Sequence, residues 1–262
     1  MNIAVIGGTG TLGSLAASEL SRRGHTVRVV SRTPRTDTSV EHRAVDLTTG
    51  AGLDAALDGV DVVVDAANAQ GRSMRELLVG GTRRVAEAGV RAGVSHHVLM
   101  SIVGIEAVPT GYYKAKLDQE AALAAVPGAA LARTVLRATQ FHQLLEWAFS
   151  SAGRVGVLPG GRIVLQPVDP AEVAVVLADL IERGPGESRV EFAGPERLTL
   201  GELAEQWRAA RDVRRLLIPI PPVGRTINAL RSGALTSDTA PRGRVTFAEW
   251  LRSRDGRGRA AS

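Results

Sequence analysis

Hydrophobic and polar positions divide the chain into two stretches of different texture. Through residue 140, short runs of apolar and β-branched residues alternate with longer segments in which Leu, Ala and Val recur at helical spacing. The runs Asn2 to Ile6, Thr26 to Val30, Arg43 to Val45, Asp61 to Ala66, His96 to Ser101 and Ala130 to Leu136 read as strands buried on both faces. Helices are predicted over Thr11 to Arg23, Ala51 to Leu57, Ser73 to Ala92 and Tyr112 to Ala125, with Gly24 and Gly93 at the C-cap positions of two of them. Strand and helix in alternation predict an α/β fold built on a doubly wound parallel sheet.

The pattern changes after Phe141. Gly153 to Gly161 reads as a glycine-rich turn, Arg162 to Leu165 as a short strand, and Asp169 to Ile181 as a helix opened by Asp169 and Pro170. Thr199 caps a further helix to Ala210, and Pro219, Pro221 and Pro222 then interrupt regular structure. This predicts a core over 1–140, a small C-terminal region over 141–251 that is interleaved with the core and forms a substrate pocket, and a flexible tail over 252–262.

Composition narrows the classes. With 262 residues, 44% hydrophobic and 23% charged, the chain can bury a core, which excludes disorder. Having no cysteine, it holds no disulfide, thiolate metal site or cysteine nucleophile. The N-terminus lacks the features of a signal peptide, and the longest weakly polar run, Ala121 to Ala132, is broken by Pro127 and Gly128. A cytoplasmic protein with no membrane partner is expected. The net charge of +5 is uneven: residues 200–262 hold 12 Arg against 6 acids, so the sheet-forming part is close to neutral. Arg252, Arg254, Arg257 and Arg259 could meet phosphates, but no nucleic-acid-binding signature accompanies them, and a solvated tail is the better reading. Monomer and homodimer both fit.

Directly after the first strand stands Gly7-Gly8-Thr9-Gly10-Thr11-Leu12-Gly13, followed by a helix. Such a loop needs glycine for its tight turn, for close approach of the backbone to a pyrophosphate, and for packing the helix on the strand. The second strand ends Val29-Val30-Ser31-Arg32, with Thr33 and Arg35 beyond and no carboxylate before Asp37. An acid there would accept from a ribose hydroxyl, whereas an arginine pairs with a 2′-phosphate, so NADP(H) is favoured over NAD(H). Arg32 is the main contact expected, with Ser31 and Arg35 as helpers. Asp46 and Leu47 are expected beside the adenine, and Ala66, Ala67 and Asn68 beneath the ribose and diphosphate.

The fifth strand ends at Ser101, and Tyr112-Tyr113-Lys114-Ala115-Lys116 opens the next helix. Tyr112 and Lys116 are four residues apart and share a helix face. A phenol near a carbonyl oxygen can donate a proton as hydride arrives, but its ordinary pKa is about 10. Lowering it by about three units needs roughly 4 kcal/mol, which an adjacent ammonium and an oxidised nicotinamide could supply. Ser101 could hold the substrate oxygen beside it. Lys116 is one of only two lysines among the 32 basic residues; the other, Lys114, has no assigned role, and Tyr113 is the alternative phenol.

The glycine loop, Ser101-Ile102-Val103-Gly104, the Tyr112 to Lys116 segment and Arg137-Ala138-Thr139-Gln140-Phe141 together resemble the atypical short-chain dehydrogenase/reductase superfamily, in its NmrA-like, NAD(P)H-binding branch. Gln166 to Asp169 and Ala193 to Glu196 extend the resemblance over most of the chain. It implies a Rossmann fold, a nucleotide at Gly7 to Gly13, a C-terminal substrate pocket, and catalytic roles for Ser101, Tyr112 and Lys116. Members of this branch are either reductases or noncatalytic redox sensors that lack the tyrosine. A complete Tyr-x-x-x-Lys leans toward an NADPH-dependent oxidoreductase reducing a small apolar or aromatic carbonyl or a quinone; the alternative is a redox-sensing regulator.

Beyond the sixth strand stand Gln140, Phe141, His142, Leu145, Trp147 and Phe149. Ligands collect outside the carboxyl ends of parallel strands, so Tyr113, Gln140, Phe141 and His142 are the expected substrate pocket. An aromatic helix face packed in a core is the competing reading for each. His96-His97 has no carboxylate at ligand spacing, and no metal site is expected.

Overall fold

The computed structural model describes residues 1–33, 40–108 and 110–259, with side chains to residue 254. Arg35 and Asp37 lie outside the described residues. In chain order the elements are β1 Asn2–Ile6, α1 Thr11–Arg22, β2 Thr26–Ser31, β3 Glu41–Ala44, α2 Leu53–Leu57, β4 Val62–Asp65, α3 Gly81–Ala92, β5 His96–Ile102, α4 Gly111–Ala125 and β6 Ala132–Ala138. There follow α5 His142–Gly153, β7 Val157–Gly160, β8 Val164–Leu165, α6 Pro170–Arg183, β9 Arg189–Phe192, β10 Leu198–Thr199, α7 Leu200–Ala210, β11 Leu216–Pro219, α8 Arg225–Arg231 and α9 Phe247–Arg259.

Seven strands form a parallel sheet in the order β3-β2-β1-β4-β5-β6-β9, flanked by helices, which is the Rossmann-like doubly wound fold. Burial follows position. Every residue of β4, in the middle, is buried, whereas β3, at the edge, carries Glu41, Arg43 and Ala44 exposed. A central strand between two layers of helices tolerates only side chains that lose nothing on leaving water, hence the run Val62-Val63-Val64. One face packs Ala4, Ile6, Val63 and Leu99 against Leu57, Val85 and Leu123. The helix expected over Ser73 to Ala92 begins instead with a π-helical turn at Glu76–Gly80 that leads into α3.

The chain resolves into two compact units. The first comprises Met1–Ser101, Gly111–Arg137 and Val173–Val190; the second comprises Ile102–Thr110, Ala138–Glu172 and Glu191–Ser262. This differs from a division at residue 140. Most of α6 belongs to the sheet unit because Val173, Leu177, Ala178 and Ile181 are buried and Arg23, after α1, binds Asp179 and Glu182, each at 2.7 Å.

The second unit has its own core, in which Leu145, Phe149, Leu158, Leu203, Trp207, Phe247, Trp250 and Leu251 meet. Two parallel strands, β7 and β11, lie at its margin with Leu216 opposite Val157 and Ile218 opposite Pro159. Two capping boxes start its helices: Thr199 with Glu202 for α7, and Thr246 with Glu249 before α9. The second opens a helix that runs into the segment expected as a tail. Helical backbone continues to Arg259, because a cap and the buried Phe247, Trp250 and Leu251 nucleate a turn that the following residues extend.

Candidate functional site

The loop from Gly7 to Gly13 joins β1 to α1. Gly7 has φ +73°, and a Cβ there would sit 2.9 Å from the Ala66 carbonyl oxygen and from Ala67, so this glycine lets the loop lie directly on the segment after β4. A Cβ on Gly13 would stand 2.2 Å from the Gly7 carbonyl oxygen, which makes glycine obligatory for seating α1 on the loop. Gly10 differs: it is exposed, and a Cβ there would approach only the Gly7 carbonyl oxygen, at 3.2 Å. Thr9 and Thr11 are exposed, and Gly8 and Leu12 are buried beneath. No side chain caps α1. An open glycine at an uncapped N-terminus of a twelve-residue helix is what a pyrophosphate requires, and these residues fit a dinucleotide.

At the end of β2, the Ser31 hydroxyl donates to the Thr33 carbonyl at 2.8 Å, and Arg32 is exposed. After β3, Asp46 is exposed and accepts from the Thr48 N–H at 2.8 Å, which holds its carboxyl below the ordinary value. Leu47, next to it, packs its side chain into the sheet core beside Gly81. After β4, Ala66 is half-buried, Ala67 buried and Asn68 exposed.

Asn68 meets Tyr112. The phenol donates to Asn68 Oδ1 at 3.1 Å, and the same oxygen accepts from the Ala69 N–H at 2.9 Å. Tyr113 packs edge-on against Tyr112, with ring centroids 5.8 Å apart. Burial, followed by the neighbouring Tyr113, pushes the Tyr112 phenol up to about 12, while the contact with Asn68 pulls the other way. Burial also raises Tyr113. Within the chain itself desolvation disfavours the phenolate and outweighs its partners, so a lowering would have to come from the ammonium and the oxidised nicotinamide together.

The Lys116 ammonium is buried and donates to the Met100 carbonyl at 2.7 Å and to Gln119 Oε1 at 2.6 Å. Gln119 donates to Thr82 Oγ1 at 2.8 Å, and Thr82 donates to Asp65 Oδ2 at 2.6 Å. Asp65 Oδ1 accepts from the Ala67 N–H at 3.2 Å, and His97 Nε2 stands 3.9 Å from Oδ2. A buried polar chain thus links α4 through α3 to the end of β4 and to the segment that packs on Gly7. Burial lowers Lys116 to about 8, against the pull of Asp65 and Glu120. Burial would raise Asp65, but His97, Thr82 and Lys116 outweigh it and hold the carboxyl low. Asp65, Thr82 and Gln119 were missed in the sequence; the one available signal was an acid closing the apolar run Val62-Val63-Val64.

Ser101 is also engaged elsewhere. It is buried and donates to Glu120, whose other oxygen pairs with Arg137 at 2.6 Å. The structure therefore brings Tyr112 to Asn68, Lys116 to Gln119 and Ser101 to Glu120, rather than joining the three expected residues in one cluster. The physical reason is burial, since an ammonium and a hydroxyl removed from water must find partners inside.

The expected pocket residues of the second unit are corrected in part. His142 is fully buried, with Nε2 3.1 Å from the Val245 carbonyl and its ring 5.6 Å from both Phe247 and Trp250. Burial lowers it to about 4, so it is a neutral residue packed in this core. Gln140 donates to the Leu235 carbonyl at 2.8 Å and accepts from the Gln166 N–H at 3.0 Å, which occupies both ends of its amide. Phe141 is half-buried at the start of α5. Among the described residues no three His, Asp or Glu side chains gather to hold a metal ion.

Comparison with known proteins adds three findings. A family model described as NAD(P)H-binding matches residues 7–183. No curated protein matches by sequence. Among solved structures, a NADPH-dependent quinone oxidoreductase from Escherichia coli, complexed with NADPH, superposes with a TM-score of 0.78 at 20% identity, covering 97% of this chain and 99% of that one. A nucleoside-diphosphate-sugar epimerase from Staphylococcus aureus gives 0.77 at 16% identity over 96% and 100% of the two chains. A short-chain dehydrogenase/reductase superfamily protein from Agrobacterium tumefaciens with bound NAD gives 0.77 at 17% identity over 100% and 98%. At these identities the likeness is one of fold.

Proposed function

The chain belongs to the NAD(P)H-binding family, and from that premise we propose that it is an NADPH-dependent oxidoreductase acting on a small apolar or aromatic carbonyl compound or a quinone. The observation that carries the reading is the Tyr112 phenol, held by Asn68 at the end of the segment that packs on Gly7. When bound, the reduced nicotinamide supplies a hydride. The chain supplies the proton: the Tyr112 O–H bond breaks toward the substrate oxygen as that oxygen gains charge, leaving an alcohol or hydroquinone and a phenolate that recovers its proton from water. The phenol is protonated near neutrality, as a donor must be, but burial makes it a weaker acid, so this reading requires the positive charge of the oxidised nicotinamide to favour the phenolate as the proton leaves. Asn68 orients it.

The Gly7 to Gly13 loop and the N-terminus of α1 would hold the pyrophosphate, and Arg32, with Ser31 beside it, the 2′-phosphate. Lys116 is a positioning residue in this account, acting through Gln119, Thr82 and Asp65 on the Ala67 N–H. The fold shared with a quinone oxidoreductase that takes NADPH supports the substrate class and the cofactor. The decisive experiment is Tyr112→Phe, assayed against a panel of carbonyls and quinones. Turnover falls by about a hundredfold or more with NADPH affinity kept, on the scale of general-acid catalysis. Unchanged turnover removes the role from Tyr112.

A second reading is favoured by one observation: the hydrogen bonds of Ser101 and Lys116 go to Glu120, Met100 and Gln119, and none goes to Tyr112. On that reading the protein is a noncatalytic NADP(H)-responsive regulator. Tight nucleotide binding with no oxidation of NADPH by any member of the panel supports it, and steady oxidation with one of them eliminates it.

A further inference from the structure

Of the nine large apolar side chains exposed among the described residues, five stand on α5, on the turn after it and on β11 of the second unit: Leu144, Trp147, Val155, Leu216 and Ile218. Their placement follows a pattern. On α5, Leu145 and Phe149 turn into the core, while Leu144 and Trp147 stand 50% and 65% exposed on another face, three residues apart. Val155, 77% exposed, stands in the turn just after the end of α5. There the chain turns, and the Gly156 carbonyl accepts from the Leu216 N–H at 3.4 Å, which carries the surface onto β11. Along β11, Leu217 packs on the core while Leu216 and Ile218 alternate outward, paired with Val157 and Pro159 of β7. One face of this two-stranded sheet is therefore apolar and open among the described residues.

Its charges are mainly basic, and two of the acids beside it are already paired, Glu146 with Arg211 and Glu205 with Arg208. Residues 147–162 carry Arg154 and Arg162 and no acid, and residues 211–231 carry five arginines and the single acid Asp212. Arg154 adjoins Val155, and Arg214 and Arg215 directly precede Leu216; all three are exposed. Exposed aliphatic and tryptophan side chains with an arginine rim match the boundary between acyl chains and anionic headgroups. A second copy of the chain fits less well, because a two-fold contact sets the patch against itself and arginine against arginine. No helix among the described residues is long and apolar enough to cross a membrane, so the contact is one of surface.

We propose that the outer face of α5 and the open face of β7 and β11 dock on an anionic lipid surface, with Trp147 seated at the headgroup level. This stands independently of the redox reading, and its test needs no turnover. Trp207 and Trp250 are buried, so a change in tryptophan emission on adding vesicles reports Trp147. The full chain is mixed with vesicles of phosphatidylcholine and phosphatidylglycerol in equal parts, and with phosphatidylcholine alone. Co-sedimentation and a blue shift are expected with the mixed vesicles only, weakening as salt rises. At about fivefold per basic residue near an anionic surface, Arg214→Glu with Arg215→Glu lowers binding by about 25-fold or more. Leu144→Ser with Trp147→Ser lowers it independently and, being at exposed positions, leaves the fold intact. The proposal is overturned if mixed vesicles bind no protein or if both double variants bind like the parent. It is also overturned if sedimentation detects a dimer that Leu144→Ser with Trp147→Ser dissolves, which would assign the patch to a second copy.

Discussion

The Nζ of Lys116 lies 2.6 Å from Oε1 of Gln119, one turn along the same helix, and this contact ties the ammonium to the interior instead of to the phenol one turn behind it. Through Thr82 the chain ends on Asp65, so the two buried charges stabilise each other across two neutral side chains. The arrangement holds the Ala67 N–H and with it the floor under Gly7.

That burial has a consequence for stability against pH. Lys116 is lowered to about 8 in the folded protein from an ordinary value of 10.5. Between those values the unfolded chain holds a proton that the folded chain has released, so stability rises with pH from about 8 to about 10.5 and is lost again as pH falls through 8. The swing amounts to about 3 kcal/mol. Urea denaturation across this range measures it, and Lys116→Met should flatten the curve relative to the parent. A variant that keeps the full slope would show that another group titrates there.

A second titration sits in the other unit. Burial holds His142 at about 4 against an ordinary 6.5, so acid stability is lost as pH falls through that interval, by about 3 kcal/mol. His142→Phe keeps an aromatic ring beside Phe247 and Trp250 and removes the titration. Its denaturation midpoint should change little between about pH 6.5 and 4, with turnover kept. Loss of turnover in a folded His142→Phe protein would restore the histidine to the substrate pocket.

These two residues mark where the sequence was legible and where it was not. The sheet and the phosphate loop were readable because their determinants are local: an apolar run, a glycine cluster, a helical period. Gly7, Gly10 and Gly13 declare their geometry by having no side chain. Lys116 and Ser101 declare none, since what fixes them are Asp65, Thr82, Gln119, Glu120 and Arg137, spread over β4, α3, α4 and β6 and joined only by folding. His142 carries the same letter in a pocket and in a core, and Phe247 and Trp250, which decide the matter, lie about a hundred residues away. The strand β9 escaped notice because Arg189 and Glu191 interrupt its apolar pattern at a sheet edge, where exposed positions are allowed.

Arg32 carries the prediction for cofactor choice. It is exposed at the end of β2, and Thr33 beside it offers no carboxylate to a ribose. A charge-assisted contact with a 2′-phosphate contributes about 1.5–3 kcal/mol, so Arg32→Ala should weaken NADPH about tenfold to a hundredfold. NADH affinity should stay within about twofold, because the variant removes no contact that NADH makes. Titration calorimetry with both nucleotides checks this, and equal losses would assign the 2′-phosphate to other residues.

The last prediction separates the two jobs of glycine in the phosphate loop. A methyl group on Gly13 meets the Gly7 carbonyl oxygen at 2.2 Å, a backbone atom that cannot rotate aside, so Gly13→Ala forces α1 off the loop. Overpacking of this kind costs about 1–3 kcal/mol, and nucleotide binding falls with it because the helix N-terminus moves. Gly10→Ala meets only the Gly7 carbonyl oxygen at 3.2 Å and otherwise faces solvent, so the fold should lose less than about 1 kcal/mol, as for other helix caps changed to alanine. Its methyl instead occupies the space in which a pyrophosphate lies, and nucleotide affinity should fall by about tenfold or more, the loss that about 1.4 kcal/mol produces. Thermal melts and nucleotide titrations on the two variants therefore dissociate: Gly13→Ala loses both stability and binding, Gly10→Ala binding alone. A Gly10→Ala protein that binds NADPH as well as the parent would move the phosphate site off the N-terminus of α1.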